Sequence, residues 1–365
     1  MFNRVQRTTS TLLAIAALCV ATAMHVAAGS AVTVTPLIGD PSAGSYCQAA
    51  LDAIAAAERT IDVLLSSVSL EDNPIPPALA AAAGRGVVIR VLLDASDWAP
   101  DITNKNQPSL AYFLEHGIEA RFDDEAVTLH AKLMVVDGET VLVGSSNWNR
   151  YALTEHRQAD VMIKAISIGA FYAHYFDLLW CGRLTDQEVE VPLPDDFGVV
   201  PTILPLADVP DSASYANVLL ELLQRARQSI HVSMYRVSYY SGYADSLANE
   251  ILAALIDAAH RGLDVRVLLD DCAYYQDSAD ANLTSAIFLH QRGLEVRLDE
   301  ASLTTHAKLV VIDGQTVLLG STNWNYYSLE KNCETDVAFV CLPAIAAPFE
   351  AYFETLWASG RDLGI

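Results

Sequence analysis

Basic residues are scarce in this chain of 365 residues, and their shortage argues against one class of function. Lysine and arginine together number 22, against 45 aspartates and glutamates, for a formal net charge of −23 at pH 7. Such a surface repels polyanions at long range. A high-affinity nucleic-acid binder normally carries a basic footprint, so nucleic acid is not the favoured partner, although a locally basic cleft is compatible with this composition.

The sequence also lacks the patterns by which proteins usually hold metals. None of its six cysteines forms a C-x-x-C pair, and no H-E-x-x-H run occurs. We therefore expect no metal and no other cofactor. Five cysteines remain once the first 28 residues are removed, and an odd number leaves at least one thiol unpaired within the chain.

The amino terminus has the composition of an export signal. Arg4 and Arg7 precede an apolar run from Leu12 to Ala23, and small residues suit cleavage before Gly29. Residues 1–28 are therefore predicted to be a signal peptide, and the mature protein to be secreted or extracytoplasmic. The alternative is an uncleaved amino-terminal anchor, because the whole apolar stretch is almost long enough to span a bilayer.

The chain contains the same unit twice. The segment from Ala82 to Asp94 (AAGRGVVIRVLLD) matches the segment from Ala258 to Asp270 (AAHRGLDVRVLLD) at a spacing of 176 residues. Upstream, the run that begins at Ile61 matches the run that begins at Ile230 at a spacing of 169. The second copy therefore holds a net seven-residue insertion between these two segments.

Each copy alternates Ala/Leu-rich helical patterns with short β-branched runs. In the first copy these predict a helix over Tyr46–Ala57 and a strand over Val87–Leu93. Alternation with short turns is typical of an α/β sheet with helices on its faces. We expect two such halves, residues 34–190 and 211–365, joined by a linker at 191–210 that is rich in proline and aspartate.

One motif within the repeat carries the candidate chemistry. Both copies read H-x-K-x4-D-x6-G-S-x-N, inside the windows 124–151 and 300–327. A lone His-x-Lys would carry little information, but duplication in register predicts a functional site. The histidine, lysine and asparagine of the two copies are the candidate catalytic residues: His130, Lys132, Asn147, His306, Lys308 and Asn323.

The local pattern predicts a hairpin that gathers these groups. Side chains alternate along a strand, so His130 and Lys132 would point to the same face. An Asp-Gly turn at Asp137 would then return the chain and bring the asparagine beside the histidine. Asp137 and Asp313 are interpreted as structural turn residues. Ser145 and Ser321 have two interpretations, a contact to phosphate or a cap on the turn.

This set of side chains suits covalent chemistry on a phosphodiester. Lysine and asparagine donors stabilise charge on the non-bridging oxygens. Two imidazoles can supply a nucleophile and an acid for the leaving group. Because each copy offers one histidine of this motif, we expect the halves to face each other across a pseudo-twofold axis and to share one metal-independent active site.

With these residues the chain resembles the phospholipase D superfamily, in the branch with two HKD motifs. The resemblance covers roughly residues 45–180 and 215–360. It implies two tandem phospholipase D-like α/β/α sandwich halves with mixed sheets. It also implies that one histidine forms a phosphohistidine, while the other protonates the leaving alcohol and then activates water.

The superfamily often has a carboxylate eleven residues after the motif asparagine, and here the two copies differ. The second copy has Glu334 at that position, whereas the first has Gln158, which departs from the pattern. A carboxylate raises the pKa of an adjacent imidazole. Glu334 is therefore predicted to support His306 as general acid and base, and Gln158 to orient His130 as nucleophile.

Shared chemistry does not choose the substrate. Export and acidity favour hydrolysis of phospholipid head-group diesters by a monomeric enzyme that contacts a membrane surface transiently. An exported nuclease is the alternative within the superfamily, since the Gly-Ser-x-Asn-Trp-Asn string is also similar to its nuclease-like branch. A binding module on an inactive scaffold is the alternative outside the enzymes.

Overall fold

The computed structural model describes residues 32–364 apart from 40, 97–99, 184–192, 194–195, 244 and 272–274. The predicted signal peptide and part of the predicted linker lie outside the described residues. Of the helices that are described, none has both the length and the hydropathy that a membrane crossing requires.

The first half is a mixed sheet with helices on its faces. Its strands are β1 (Thr33–Leu37), β2 (Thr60–Leu65), β3 (Val88–Leu93), β4 (Glu119–Phe122), β5 (Lys132–Val136), β6 (Thr140–Gly144) and β7 (Asp160–Lys164). Its α-helices are α1 (Ser45–Ala56), α2 (Ile75–Gly84), α3 (Pro100–Glu115), α4 (Arg150–Thr154) and α5 (Ile166–Trp180). The strand order is β1-β7-β6-β5-β2-β3-β4, with β2, β3 and β4 parallel and the other neighbours antiparallel.

The second half repeats this plan with an additional short strand. Its strands are β8 (Thr202–Asp208), β9 (Ser229–Met234), β10 (Asp264–Leu269), β11 (Glu295–Leu298), β12 (Lys308–Ile312), β13 (Thr316–Gly320), β14 (Glu334–Val340) and β15 (Arg361–Asp362). Its α-helices are α6 (Ser214–Arg225), α7 (Leu247–His260), α8 (Gln276–His290), α9 (Tyr326–Glu330) and α10 (Pro343–Ser359). The strand order is β15-β11-β10-β9-β12-β13-β14-β8.

The prediction of two α/β/α halves with mixed sheets is confirmed. Strands β5 and β12 are buried at every residue, because helices cover both faces of each sheet and both faces need apolar side chains. One core cluster lies under the outer helices of each half. A third cluster joins α5 and α10 with strands of both sheets, so the halves share a core.

Two tyrosines of α5 hold the halves together by hydrogen bonds as well. The Tyr172 hydroxyl donates to the carbonyl of Asp336 at 2.5 Å, and the Tyr175 hydroxyl donates to the carbonyl of Asp208 at 2.8 Å. Both rings are buried. The position of each half relative to the other is therefore fixed by buried contacts close to the duplicated motif.

Strand β8 corrects the predicted linker. The composition of residues 191–210 predicts an irregular connection, but Thr202–Asp208 pairs antiparallel with β14 and is buried throughout. Pro205 is tolerated there because an edge strand has one side without ladder hydrogen bonds. The connection between the halves therefore ends before residue 202.

Candidate active site

The two motif copies meet where the halves exchange backbone contacts. The His130 N–H donates to the carbonyl of Cys333 at 2.9 Å, and the His306 N–H donates to the carbonyl of Arg157 at 2.8 Å. Short parallel bridges flank both contacts. Each histidine is thus fixed against the segment of the opposite half that leads into its Gln158 or Glu334 position.

The predicted strand position of the histidines is wrong. Strands β5 and β12 begin at Lys132 and Lys308, so each histidine lies two residues before its strand. The segment that carries the histidine pairs with the opposite half instead of with its own sheet. The predicted Asp-Gly hairpin between β5 and β6 does form.

His130 is held by a buried carboxylate from the second half. Its Nδ1 lies 2.8 Å from Oε2 of Glu334, which is 0% exposed. The same carboxylate accepts from the Asn332 amide at 3.0 Å and from the Ser321 hydroxyl at 2.5 Å. Since a carboxylate accepts hydrogen bonds only, Nδ1 carries the proton and Nε2 remains available.

His306 is held by neutral acceptors from the first half. Its Nδ1 lies 3.0 Å from the carbonyl oxygen of Ser145 and 3.1 Å from Oε1 of Gln158. The Ser145 hydroxyl donates to the same Gln158 oxygen at 2.7 Å. His306 therefore has the same tautomer as His130 but no charged partner at Nδ1.

These contacts overturn the predicted pairing of supports and histidines. The sequence places Glu334 and His306 in the same copy, and the prediction pairs them. In the structure the supports cross over, so that Glu334 contacts His130 and Gln158 contacts His306. The physical reason is the exchange of backbone contacts between the halves, which a comparison of repeats does not reveal.

Both imidazoles are neutral in the unliganded protein. Burial lowers the pKa of His130, and Glu334 opposes this only in part. Burial, Lys308 and Lys132 together hold the pKa of His306 well below its ordinary value. Burial raises the pKa of Glu334, but His130 and Lys132 outweigh it, so that the carboxylate remains charged.

The two motif lysines are buried cations. Lys132 and Lys308 are each 1% exposed, and each ammonium donates to the carbonyl of its own motif histidine. Burial lowers the pKa of Lys132 to about 8 and that of Lys308 further below its ordinary value, to which the charge of Lys132 also contributes. Two desolvated ammonium groups that repel each other form a site in which a bound anion would be stabilised.

The asparagines follow β6 and β13 on loops held by a second pair of carboxylates. Asp160 Oδ1 accepts from the backbone N–H of Ser146 at 2.9 Å, and Asp336 makes the equivalent contact in the second half. The Oδ1 atoms of Asn147 and Asn323 are buried without a hydrogen-bond partner among the described residues. Polar groups of this kind suit a ligand that completes their bonding.

The same carboxylates explain the motif glycines. A Cβ atom at Gly144 would lie 2.3 Å from Oδ1 of Asp160, and one at Gly320 would lie 2.2 Å from Oδ1 of Asp336. The sequence analysis missed both aspartates. Their spacing of 176 residues is the signal that would have found them.

Ser145 and Ser321 have neither of their predicted contacts. Each hydroxyl donates to the support residue, Gln158 or Glu334, and accepts from a backbone N–H. They therefore orient the supports of the histidines. Asp137 and Asp313 lie outside the site, and their carboxylates accept from three successive backbone N–H groups before β2 and β9.

Two aromatic side chains beside His306 were also missed. The ring centroid of Tyr235 lies 4.5 Å from that of His306, and the ring centroid of His156 lies 6.3 Å from it. The Lys308 ammonium lies over the Tyr235 ring at 4.7 Å. Comparison of the repeats gives no signal for them, because the first and second halves have different residues at these positions.

One group outside this site has ligand atoms spaced to hold a metal ion, among the residues that the structure describes. His231, Glu350 and Glu354 place one ligand atom each within 4.8 Å of the others. Arg266 already contacts Glu354 at 3.1 Å. His231 lies near the start of β9, at the opposite end of that strand from Tyr235.

Comparison with known proteins identifies the same two units. The family model described as "Cardiolipin synthase, PLD-like domain" matches residues 50–180 and 219–357. A mitochondrial cardiolipin hydrolase of Chlamydomonas reinhardtii is 28% identical over 130 residues, which are 36% of this chain and 55% of the hydrolase. A probable cardiolipin synthase of Bacillus subtilis (strain 168) is 26% identical over 294 residues, which are 74% of this chain and 55% of the synthase. The chain thus spans about half the length of each of these curated relatives.

A solved structure shares the fold across both halves. The crystal structure of the phosphatidylserine synthase of Haemophilus influenzae Rd KW20 superposes with a TM-score of 0.71 and covers 90% of this chain and 87% of that chain. The sequences are 15% identical. The similarity therefore concerns the arrangement of both sheets and their helices.

Proposed function

Since the chain belongs to the phospholipase D superfamily and carries two phospholipase D-like domains, as its sequence resemblance predicts, we propose that it is a phosphodiesterase that hydrolyses phospholipid head-group diesters through a phosphohistidine. The observation that carries this proposal is the convergence of two His-Lys-Asn sets at one junction, with each histidine held by the opposite half. The acidic composition favours a lipid over a polyanionic substrate. Residues 1–28 support export as part of the same proposal.

His130 is the nucleophile in this mechanism. Its Nε2 attacks phosphorus, and the imidazole acquires a positive charge that persists in the covalent intermediate. The buried Glu334 carboxylate at Nδ1 stabilises that charge, as the aspartate of a Ser-His-Asp triad stabilises an imidazolium. The sequence analysis assigned the same role to His130 for a different reason, the expected contact with Gln158, which the structure contradicts.

His306 is the general acid and base. As the bond from phosphorus to the leaving alcohol breaks, protonated His306 gives its proton to the departing oxygen. Its depressed pKa makes the imidazolium a strong donor, and the anionic diester between the lysines favours protonation when it binds. Neutral His306 then takes a proton from water, which attacks phosphorus. The bond to His130 breaks, and phosphatidate leaves.

The lysines and asparagines hold the phosphoryl oxygens during both steps. Their ammonium and carboxamide groups come from both halves and surround the space between the imidazoles, where charge develops on the non-bridging oxygens. Removal of one such donor typically costs about 10²–10³-fold in kcat. Every step described uses the side chains of this chain alone.

Parallel diester assays test the proposed function. We would assay the mature chain, from Gly29, on phosphatidylcholine vesicles and on single-stranded DNA, with His130→Ala as the control. Head-group release by the wild type that the variant lacks is the expected result. DNA cleavage without lipid turnover would replace the proposal by the nuclease alternative. Failure to cleave any diester, with no covalent phosphate on the protein, would favour an inactive binding module.

A further inference from the structure

The pseudo-symmetry of the site shows where its two sides differ. The residue after β2 is Ser66, and the equivalent residue after β9 is Tyr235, at the repeat spacing of 169. The backbone confirms the equivalence: Asn106 donates to the Ser66 carbonyl at 2.9 Å, and Asn282 donates to the Tyr235 carbonyl at 2.7 Å. A small polar side chain in one half is therefore an aromatic ring in the other.

A second difference occurs two residues before each support. Asn332 precedes Glu334 and donates to it at 3.0 Å, whereas His156 precedes Gln158. The His156 ring stacks with Tyr151 at a centroid distance of 6.2 Å and lies 6.3 Å from the His306 ring. Burial and the charge of Lys308 lower the pKa of His156 to about 4, so this ring is neutral near pH 7.

These substitutions surround His306 with rings on more than one side. Tyr235 approaches His306 directly, and Tyr275 meets the Tyr235 ring edge-on at 6.3 Å. Tyr275 is 47% exposed and Tyr151 is 55% exposed, so the ring group continues from His306 to the protein surface. The corresponding positions in the other half, Ser66 and Asn332, have no ring.

We propose that Tyr235, Tyr275, His156 and Tyr151 form the subsite for the leaving alcohol, and that this alcohol carries a quaternary ammonium group, as choline does. The proposal rests on the proposed function, in which His306 protonates the leaving oxygen. The leaving group must then lie beside His306, where these rings are. A quaternary ammonium has no N–H to satisfy, and aromatic faces are its preferred environment.

Charge supports this choice of head group. The phosphate end of the substrate meets Lys132 and Lys308, while the cationic end would lie on neutral rings. An ammonium that retains N–H groups would leave hydrogen bonds unmade against ring faces. The net charge of −23 favours approach of a cationic head group and disfavours a nucleoside diester within a polyanion.

The test compares soluble diesters that share acyl chains and differ in the head group. We would measure kcat/KM for dihexanoyl phosphatidylcholine, phosphatidylethanolamine and phosphatidylglycerol. Tyr235→Ser and His156→Asn introduce the residues of the opposite half. Tyr235→Phe keeps the ring, and Tyr112→Ser removes a ring from α3. The wild type is expected to prefer the choline diester, and Tyr235→Ser to reduce that preference by about tenfold. His156→Asn is expected to reduce it in the same direction, and Tyr235→Phe and Tyr112→Ser to retain it.

A chromogenic diester separates failure of this inference from failure of the proposed function. Bis(4-nitrophenyl) phosphate has no head group, so its cleavage reports the central chemistry. Loss of the proposed function means that no diester is cleaved in a His130-dependent manner. The subsite inference is overturned when His130-dependent cleavage is present but the choline preference is absent or survives in both Tyr235→Ser and His156→Asn. It is also overturned if thymidine 4-nitrophenyl phosphate is the substrate that these variants lose.

Discussion

At the scale of the residue, the identity of the catalytic groups is readable from the sequence, but their partners are not. Duplication in register singles out His130, Lys132 and Asn147 and their counterparts, and the structure brings both sets to one junction. The sequence gives no means of deciding which half supports which histidine. That choice depends on how backbone segments pair between halves, and the prediction for Glu334 is wrong for this reason.

The crossed supports predict how activity depends on pH. In the free protein His130 must be neutral and His306 protonated, so kcat/KM falls as pH rises through the pKa of His306. Gln158→Glu would place a carboxylate at Nδ1 of His306 and raise that pKa. The alkaline limb of the kcat/KM profile is then expected to move to higher pH by about one unit or more.

The matched control is Glu334→Gln, which gives the second half the support residue of the first. It removes the charge beside His130, so the rate is expected to fall by about 10²–10⁴-fold. The alkaline limb should stay where it is, because His306 has kept its partners. An alkaline limb that moves with Glu334→Gln and not with Gln158→Glu would show that the acid has been misassigned.

At the scale of the element, alternating helical and β-branched patterns locate the main strands and helices. The predicted strand over Val87–Leu93 is observed as Val88–Leu93, and the helix over Tyr46–Ala57 as Ser45–Ala56. Strand β8 is missed because Pro205 is atypical of a central strand and its edge position is a tertiary property. The register of the motif segment is likewise set by the opposite half.

The motif aspartates are element braces and predict a loss of stability. Asp137 accepts from the backbone N–H groups of Glu58, Arg59 and Thr60 at 2.7–3.0 Å, which ties the β5–β6 turn to the start of β2. Burial acts to raise the pKa of this carboxyl, but the backbone donors outweigh it and lower the pKa. Asp137→Ala should reduce the free energy of unfolding by about 2–4 kcal/mol, measured by denaturant titration.

A nearby aspartate provides the comparison for this variant. Asp124 is exposed and accepts from the backbone N–H of Ala126 at 3.0 Å within a single turn. Its replacement by alanine should cost at most about 1 kcal/mol. If Asp137→Ala abolished activity while leaving the denaturation midpoint unchanged, Asp137 would belong to the site and the structural interpretation would fail.

At the scale of the whole molecule, two similar halves create a site that neither contains alone. The duplication predicts the shared site, and the common core of α5 and α10 explains how the junction is held. The composition predicts an acidic protein, whereas the fold buries two lysines at the junction beneath that surface. Burial of like charges depends on the packing between halves, which composition does not describe.

The central claim is that His130 forms the covalent bond to phosphorus and His306 completes turnover. The most direct measurement is to trap and map phosphohistidine by mass spectrometry after alkaline quenching. The substrate would be a 4-nitrophenyl diester, whose leaving group needs little protonation, and the protein would be His306→Ala, in which hydrolysis of the intermediate is slowed. The account predicts phosphate on His130 and none in His130→Ala. Phosphate mapped to another residue, or turnover in the wild type with no trapped intermediate, would contradict it.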